Sequence, residues 1–303
     1  MTPLELLSHY DSGLPWPAAP SSAAGFDVRA AYQQALAVRA LRLARGEQPR
    51  GFKIGFTNRS IWARYQVFAP IWGTVYDSTL RFCDGQAALA LAGTCQPRIE
   101  PEVVFGMRAT PAPGATLDAL FAAIDWVAPG FEIVQSHLPD WKFQAADTVA
   151  DGSLHARLLV GQRRSVQSIA SNAGQLETLL AACQVTLLKN GSPVDTGCGA
   201  NVLDNPLRAL HHFLGELRQC PGAPELMPGD VVTTGTWTDA WPVAAGEQWQ
   251  AAVGTPQPEL RVDFTSAERT RWPDRPTRPA PPISPAPRPV GLGPGPGRSR
   301  REP

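Results

Sequence analysis

The stretch RIEPEVVF, Arg98 to Phe105, decides how the chain is read. Glu100 and Glu102 stand two apart, so in a strand both carboxylates leave the same face. Like charges that close repel unless a cation or an arginine neutralises them. The pair is either a ligand set for one cation or a solvated acidic edge, with Pro101 marking an edge or irregular strand. The octapeptide alone leaves both open.

Some thirty residues on, WVAPGFEIVQ carries Glu132 as the only charge in an apolar run from Trp126 to Gln135. A buried carboxylate needs a partner or a metal, so Glu132 is either ion-paired with an arginine or a third ligand. Three carboxylate oxygens with no His or Cys specify a hard cation, Mg²⁺ or Mn²⁺, with positions left for water and substrate. Upstream, RGFKIGFTNR (50–59) holds one of only three lysines in the chain. As a strand it places Phe52, Ile54 and Phe56 on one face and Gly51, Lys53 and Gly55 on the other. The glycines leave room for a small molecule beside the ammonium group. Lys53 is then either a desolvated proton-transfer group or an edge lysine reaching to water.

Other candidates are weaker by themselves. Asp77, in PIWGTVYDSTL, ends a strand and has the setting of a turn or cap residue. DTVADGSLHARLLVG supplies Asp147, Asp151 and His155, and a lone histidine there reads first as a satisfied structural residue. FTNRSIWARY predicts a helix beginning near Thr57 or Asn58. Its free N–H groups, with Arg59, either receive a substrate carboxylate or form an ordinary cap.

Residues 28–46 predict an amphipathic helix ending at Gly46, and shorter helices are expected at 116–124, 174–183 and 205–218, the last capped by Asp204 or Asn205 with Pro206 in its first turn. Strands are expected at 51–57, 73–77, 98–107, 126–136, 156–161, 184–189, 230–236, 248–253 and 259–264, with a hairpin at Asn190-Gly191. Strands outnumber helices without alternating with them, which favours an α+β domain with a mixed or antiparallel sheet.

From Arg269 to Pro303 there are 11 prolines in 35 residues, with 8 arginines against 2 acids. That composition predicts a disordered tail behind one domain spanning 1–268. The whole chain has 27 basic and 27 acidic residues; without the tail 19 and 25 remain, a net of −6. A mildly acidic domain gives no reason to expect nucleic-acid binding. Five cysteines without a CxxC pair, no opening segment of secretory type and no long apolar run predict a cytoplasmic protein with reduced thiols and no membrane span.

Taken in order, GFKIGFTN, PIWGTVYD, RIEPEVVF, FEIV, DTVAD, GANVLDNPLRAL and GDVVTTGT resemble the fumarylacetoacetate hydrolase superfamily, in its 2-keto-4-pentenoate hydratase and oxalocrotonate decarboxylase branch. The similarity runs from about residue 28 to about 265. It implies a mixed β-roll core (about 49–268) with peripheral helices and an N-terminal helical segment (about 1–48). It also implies an Mg²⁺ or Mn²⁺ ion on Glu100, Glu102 and Glu132, with Lys53 and Asp77 in proton transfer. The implied substrate is a 2-oxo or 2-hydroxydienoic acid, hydrated to a 4-hydroxy-2-oxo acid, and the implied assembly is at least a dimer. One departure stands out. Where the branch reads Asp-Asn-Ala-Ser-Ser, this chain has Asp151-Gly152-Ser153-Leu154-His155, so the contacts to the substrate carboxylate fall to Asp151, His155 and Arg59. Rival readings are decarboxylation of 4-oxalocrotonate, carbon–carbon hydrolysis, and a binding or scaffold protein acting through its tail.

Overall fold

The first third of the chain lays down two helices and then five strands. Helix α1 (Pro3–Ser12) starts from a reciprocal Thr2–Glu5 capping box and stops at left-handed Gly13. Helix α2 (Val28–Ala44) is capped by Asp27. The strands β1 (Pro49–Gly55), β2 (Ile71–Tyr76), β3 (Leu80–Phe82), β4 (Gln86–Ala90) and β5 (Arg98–Met107) follow, with the one-turn helix α3 (Trp62–Tyr65) between β1 and β2. The remainder comprises α4 (Leu117–Ala123), β6 (Ile124–Val134), α5 (Ala145–Ala150), β7 (His155–Val160), β8 (Arg164–Ser165) and α6 (Ala173–Ala182), then β9 (Gln184–Lys189), β10 (Ser192–Cys198), α7 (Pro206–Gln219), β11 (Val231–Thr233), β12 (Trp241–Pro242), β13 (Gln248–Val253) and β14 (Leu260–Thr265). This computed structural model describes residues 1–59, 62–254 and 258–266. The tail expected at 269–303 and the first turn of the helix expected near Thr57 lie wholly or partly outside the described residues.

One sheet runs β2-β1-β11-β5-β6-β7-β3, with β12 beside β5 and β8 beside β6; a second runs β10-β9-β13-β14-β4. The β1–β11, β3–β7 and β14–β4 pairs are parallel and the others antiparallel, so both sheets are mixed, as expected. Asn190 and Gly191 take positive φ at the β9–β10 hairpin. Asn205, rather than Asp204, caps α7, accepting from Arg208 N at 3.0 Å with Pro206 in the first turn. The main core joins Phe52, Ile54, Phe105, Phe131, Phe213 and Trp249 across sheets and helices, and a second cluster packs α1 and α2 on α5 through Leu6, Trp16, Ala31 and Val149. Among the described residues no helix is long and apolar enough to cross a membrane.

Two local expectations are corrected. Pro101 is not on an edge, because β5 lies between β6 and β11. The Pro101 carbonyl accepts from Trp237 N at 3.1 Å, and the N and O of one strand residue point the same way. The missing N–H therefore falls in the gap between the short partners β11 and β12, and no bond to β6 is lost. Gly51 is not room for a ligand either. A Cβ there would stand 1.8 Å from the Val231 carbonyl oxygen, and its φ is +133°. Gly51 is glycine because β11 passes against it.

Candidate metal centre and catalytic site

Strand register builds the centre. Glu100 on β5 pairs directly with Glu132 on β6, while Glu102 faces Gly130. Alternation sends all three side chains to one face, and one oxygen from each lies within 4.8 Å of the others. Glu102 and Glu132 are buried and Glu100 is half-buried. Lys53 on β1 reaches the group from across β11. Its amine lies 3.3 Å from Glu132 Oε2 and donates to the Ser153 carbonyl at 2.8 Å. Gly55 lies close by: a Cβ there would sit 3.5 Å from the amine and 3.1 Å from Ile71 Cγ1. The open space expected beside Lys53 is therefore found at neither Gly51 nor Gly55.

Each carboxylate is aimed by neighbours. Glu102 Oε2 accepts from the Thr233 hydroxyl and from Gly235 N at 2.6 Å. Glu132 Oε1 meets His155 Nδ1 at 2.8 Å, and His155 Nε2 meets the Thr79 hydroxyl at 2.9 Å. An ionised carboxylate only accepts, so Nδ1 carries the proton and Nε2 accepts from Thr79. Glu102 Oε1 is buried with no hydrogen-bond partner among the described residues, and Glu132 Oε2 is buried facing the Lys53 amine at 3.3 Å. Two oriented carboxylate oxygens on one face, one without a partner and the other facing only the Lys53 amine, form with Glu100 a donor set for a hard divalent cation, and the residues fit that group.

The electrostatics agree. Burial, joined by mutual repulsion and opposed by Lys53, pushes the Glu100 and Glu102 carboxyls up to about 8. Burial raises Glu132 too, against the attraction of Lys53. For Lys53, burial favours the neutral amine, but Glu132, Glu100 and Glu102 outweigh it and hold the pKa above its ordinary value. Burial, reinforced by nearby cations beginning with Lys53, depresses His155 well below the usual histidine range, so its imidazole is neutral.

The structure separates the other candidates from this group. Asp77 lies beyond the end of β2, four positions from Gly73, the register partner of Lys53, or about 13 Å along the strand. Its carboxylate accepts from Gln48 N at 3.0 Å, a turn role set by the β1–β2 register. Arg59 lies on the surface, ion-paired to Asp204 at 2.9 Å. Asp151 uses one oxygen on His137 N at 2.9 Å and the other on His137 Nδ1 at 2.6 Å. With both oxygens of Asp151 and both ring nitrogens of His155 engaged, neither is presented as a direct contact for a substrate carboxylate. They brace the turn and Glu132 instead.

That turn explains the departure at 151–155. Ser153 and Leu154 take φ of +57° and +67°, and the Ser153 hydroxyl donates to the Trp72 carbonyl at 2.6 Å. This points the Ser153 carbonyl at Lys53. Sequence reasoning missed Thr79, His137, Ser153, Thr233 and Gly235; GDVVTTGT was visible as a motif, but nothing local joins it to Glu102.

No family model matches the chain. It is 34% identical over 228 residues to 2-hydroxyhexa-2,4-dienoate hydratase of Comamonas testosteroni, covering 75% of this chain and 82% of that protein. It is 32% identical over 194 residues to 2-hydroxypent-2,4-dienoate hydratase of Pseudomonas putida, covering 63% and 83%. Among solved structures, 4-oxalocrotonate decarboxylase from Pseudomonas putida G7, complexed with magnesium and adipate, superposes with a TM-score of 0.78 at 25% identity over 86% of this chain and 95% of that one. Fumarylpyruvate hydrolase from Pseudomonas aeruginosa, in complex with Mn²⁺ and pyruvate, shares the fold at a TM-score of 0.54 and 15% identity, covering 71% and 89%.

Proposed function

Because the chain belongs to the fumarylacetoacetate hydrolase superfamily, in its 2-keto-4-pentenoate hydratase and 4-oxalocrotonate decarboxylase branch, we propose that Glu100, Glu102 and Glu132 hold Mg²⁺ or Mn²⁺ and that Lys53 is the proton-transfer group of a hydro-lyase. The enzyme adds water to a 2-hydroxydienoate to give a 4-hydroxy-2-oxo acid, a step of aromatic meta-cleavage catabolism. The observation that carries this reading is the three-glutamate cluster with a buried lysine 3.3 Å from one member. Relatives named as hydratases at 32–34% identity support hydration.

The bound cation supplies Lewis-acid stabilisation of negative charge on the 2-oxo acid. The chain's own groups do the rest. An ammonium has three N–H donors; Lys53 directs one to Ser153 and one to Glu132, and keeps the third for the substrate. It protonates the carbon chain of the dienol as the 2-hydroxyl gives up its proton, which restores the ammonium, so that the unsaturated 2-oxo acid forms without net loss of a proton, and it then assists the addition of water to the conjugated double bond. Neutral His155, fixed by Thr79, holds Glu132 in orientation, and Thr233 and Gly235 do the same for Glu102. The reading places a small-molecule enzyme in the cytoplasm as an assembly of at least two copies, which size-exclusion chromatography with light scattering tests.

The test of the activity is loss of dienol absorbance from 2-hydroxypenta-2,4-dienoate with Mg²⁺, Mn²⁺ or EDTA. Metal-dependent loss with formation of the 4-hydroxy-2-oxo acid is expected. Release of carbon dioxide from 4-oxalocrotonate, with no turnover of the dienoate, would reassign the chain to the decarboxylases.

A further inference from the structure

A cavity of about 50 Å³ lies between the N-terminal helices, β2 and the turn at Asp151–His155. At roughly 10–15 Å³ per water-sized group, it holds a handful of waters or one short-chain carboxylate. Trp16, Arg39 and Trp72 line it, contributed by the segment after α1, by α2 and by β2. The indole N–H groups of Trp16 and Trp72 and the Arg39 Nε–H are all buried without an acceptor among the described residues. Trp16 and Trp72 are 95% or more buried. All three groups donate only. Three residues that line one cavity from three elements thus each carry a buried donor without an acceptor among the described residues, and such donors call for an acceptor-only ligand.

The charges select an anion. Asp151 is held by His137 through both oxygens. Arg42 is neutralised by Glu47 at 2.7 Å and covered by the rings of Tyr10 and Tyr76. His155 is engaged through both ring nitrogens, by Glu132 and by Thr79. Arg39 is then the charge on these walls without a counter-ion among the described residues. Leu6, Leu36 and Val38 supply apolar surface beside it. We propose that this cavity binds a small monocarboxylate, its oxygens taken by Arg39 and the two indoles and its short carbon chain lying against the leucines. Neither Lys53 nor any of the three glutamates lines this cavity, although His155 borders both, and binding here does not depend on the reaction assigned to the cluster.

The test is isothermal titration of butanoate into the full-length protein in EDTA, with butanamide as the neutral counterpart. One saturable site is expected for butanoate. Arg39→Met should weaken it about tenfold or more, the cost of a charge-assisted hydrogen bond, and Trp16→Phe should weaken it less. Lys53→Met should leave it unchanged. Absence of saturable binding, equal affinity for butanamide, wild-type affinity in Arg39→Met, or loss in Lys53→Met would each overturn the assignment; the last would place butanoate among the glutamates. If Arg39→Met does not fold, the butanoate and butanamide comparison on the wild-type protein decides alone.

Discussion

Removing divalent metal should make the protein's stability fall as pH rises through neutrality, against the usual behaviour of carboxylates. Glu100 and Glu102 titrate near 8 in the folded chain, against an ordinary value of 4.5. Between those values the folded state keeps protons that the unfolded chain has released. Their contribution is complete below the unfolded pKa and is lost as pH climbs through the folded one. With one pKa unit worth about 1.4 kcal/mol, and each group half ionised by pH 8, each carboxyl that keeps its proton costs the metal-free protein about 2 kcal/mol between about pH 6 and pH 8. At about 2 °C per kcal/mol for a chain of this size, the melting temperature drops by about 4 °C per group. A cation requires the ionised carboxylates, so saturating Mg²⁺ should remove most of the slope and stabilise more strongly at the higher pH. The assay is thermal denaturation followed by circular dichroism in EDTA and in Mg²⁺, with Glu102→Gln as a control that takes away about half the slope. A metal-free melting temperature that stays level or rises between those pH values would refute the reasoning. So would a slope that Mg²⁺ leaves intact.

Lys53→Met should lower turnover by about 10²–10⁴-fold while calorimetry shows Mg²⁺ affinity kept or strengthened, since a buried cation beside the glutamates has gone; an active variant would contradict the proton-transfer role. His155→Phe should weaken Mg²⁺ binding about 10–100-fold by releasing Glu132 from its orienting partner, measured by the same titration. Asp77→Ala should cost about 1 kcal/mol in urea melts through the lost bond to Gln48 N, with turnover nearly unchanged; a collapse in turnover without loss of stability would return Asp77 to the reaction. Gly51→Ala should destabilise by about 3 kcal/mol or more, because its Cβ runs into the β11 backbone at a positive φ. Full stability of that variant would show that the close approach of β1 and β11 is not required.

Much of the fold and the heart of the candidate site were legible in the chain. The helix at 28–44, the hairpin at Asn190-Gly191, the paired carboxylates and the lone lysine each rest on spacing within a few residues, where backbone periodicity alone sets which side chains share a face. Helix α1 was also legible, since Thr2, Pro3 and Glu5 make a capping box, but it was not read. What lay beyond reach was every relation between distant segments. Glu100 and Glu132 oppose each other because β5 and β6 pair in one register, and a shift of one residue would turn Glu132 to the opposite face. Gly51 reads as open space until β11, some 180 residues later, is laid against it. Asp77 and His155 read locally as a turn residue and a structural histidine, and only the resemblance gave them and Asp151 roles at the substrate; which partners they bind, Gln48, His137, Glu132 and Thr79, was decided by topology. The sequence by itself determined the kinds of groups and the faces they occupy, because those follow from local backbone geometry. Only the tertiary structure decided which groups meet and which are already bound, because contact between segments depends on the register and crossing of strands far apart in the chain.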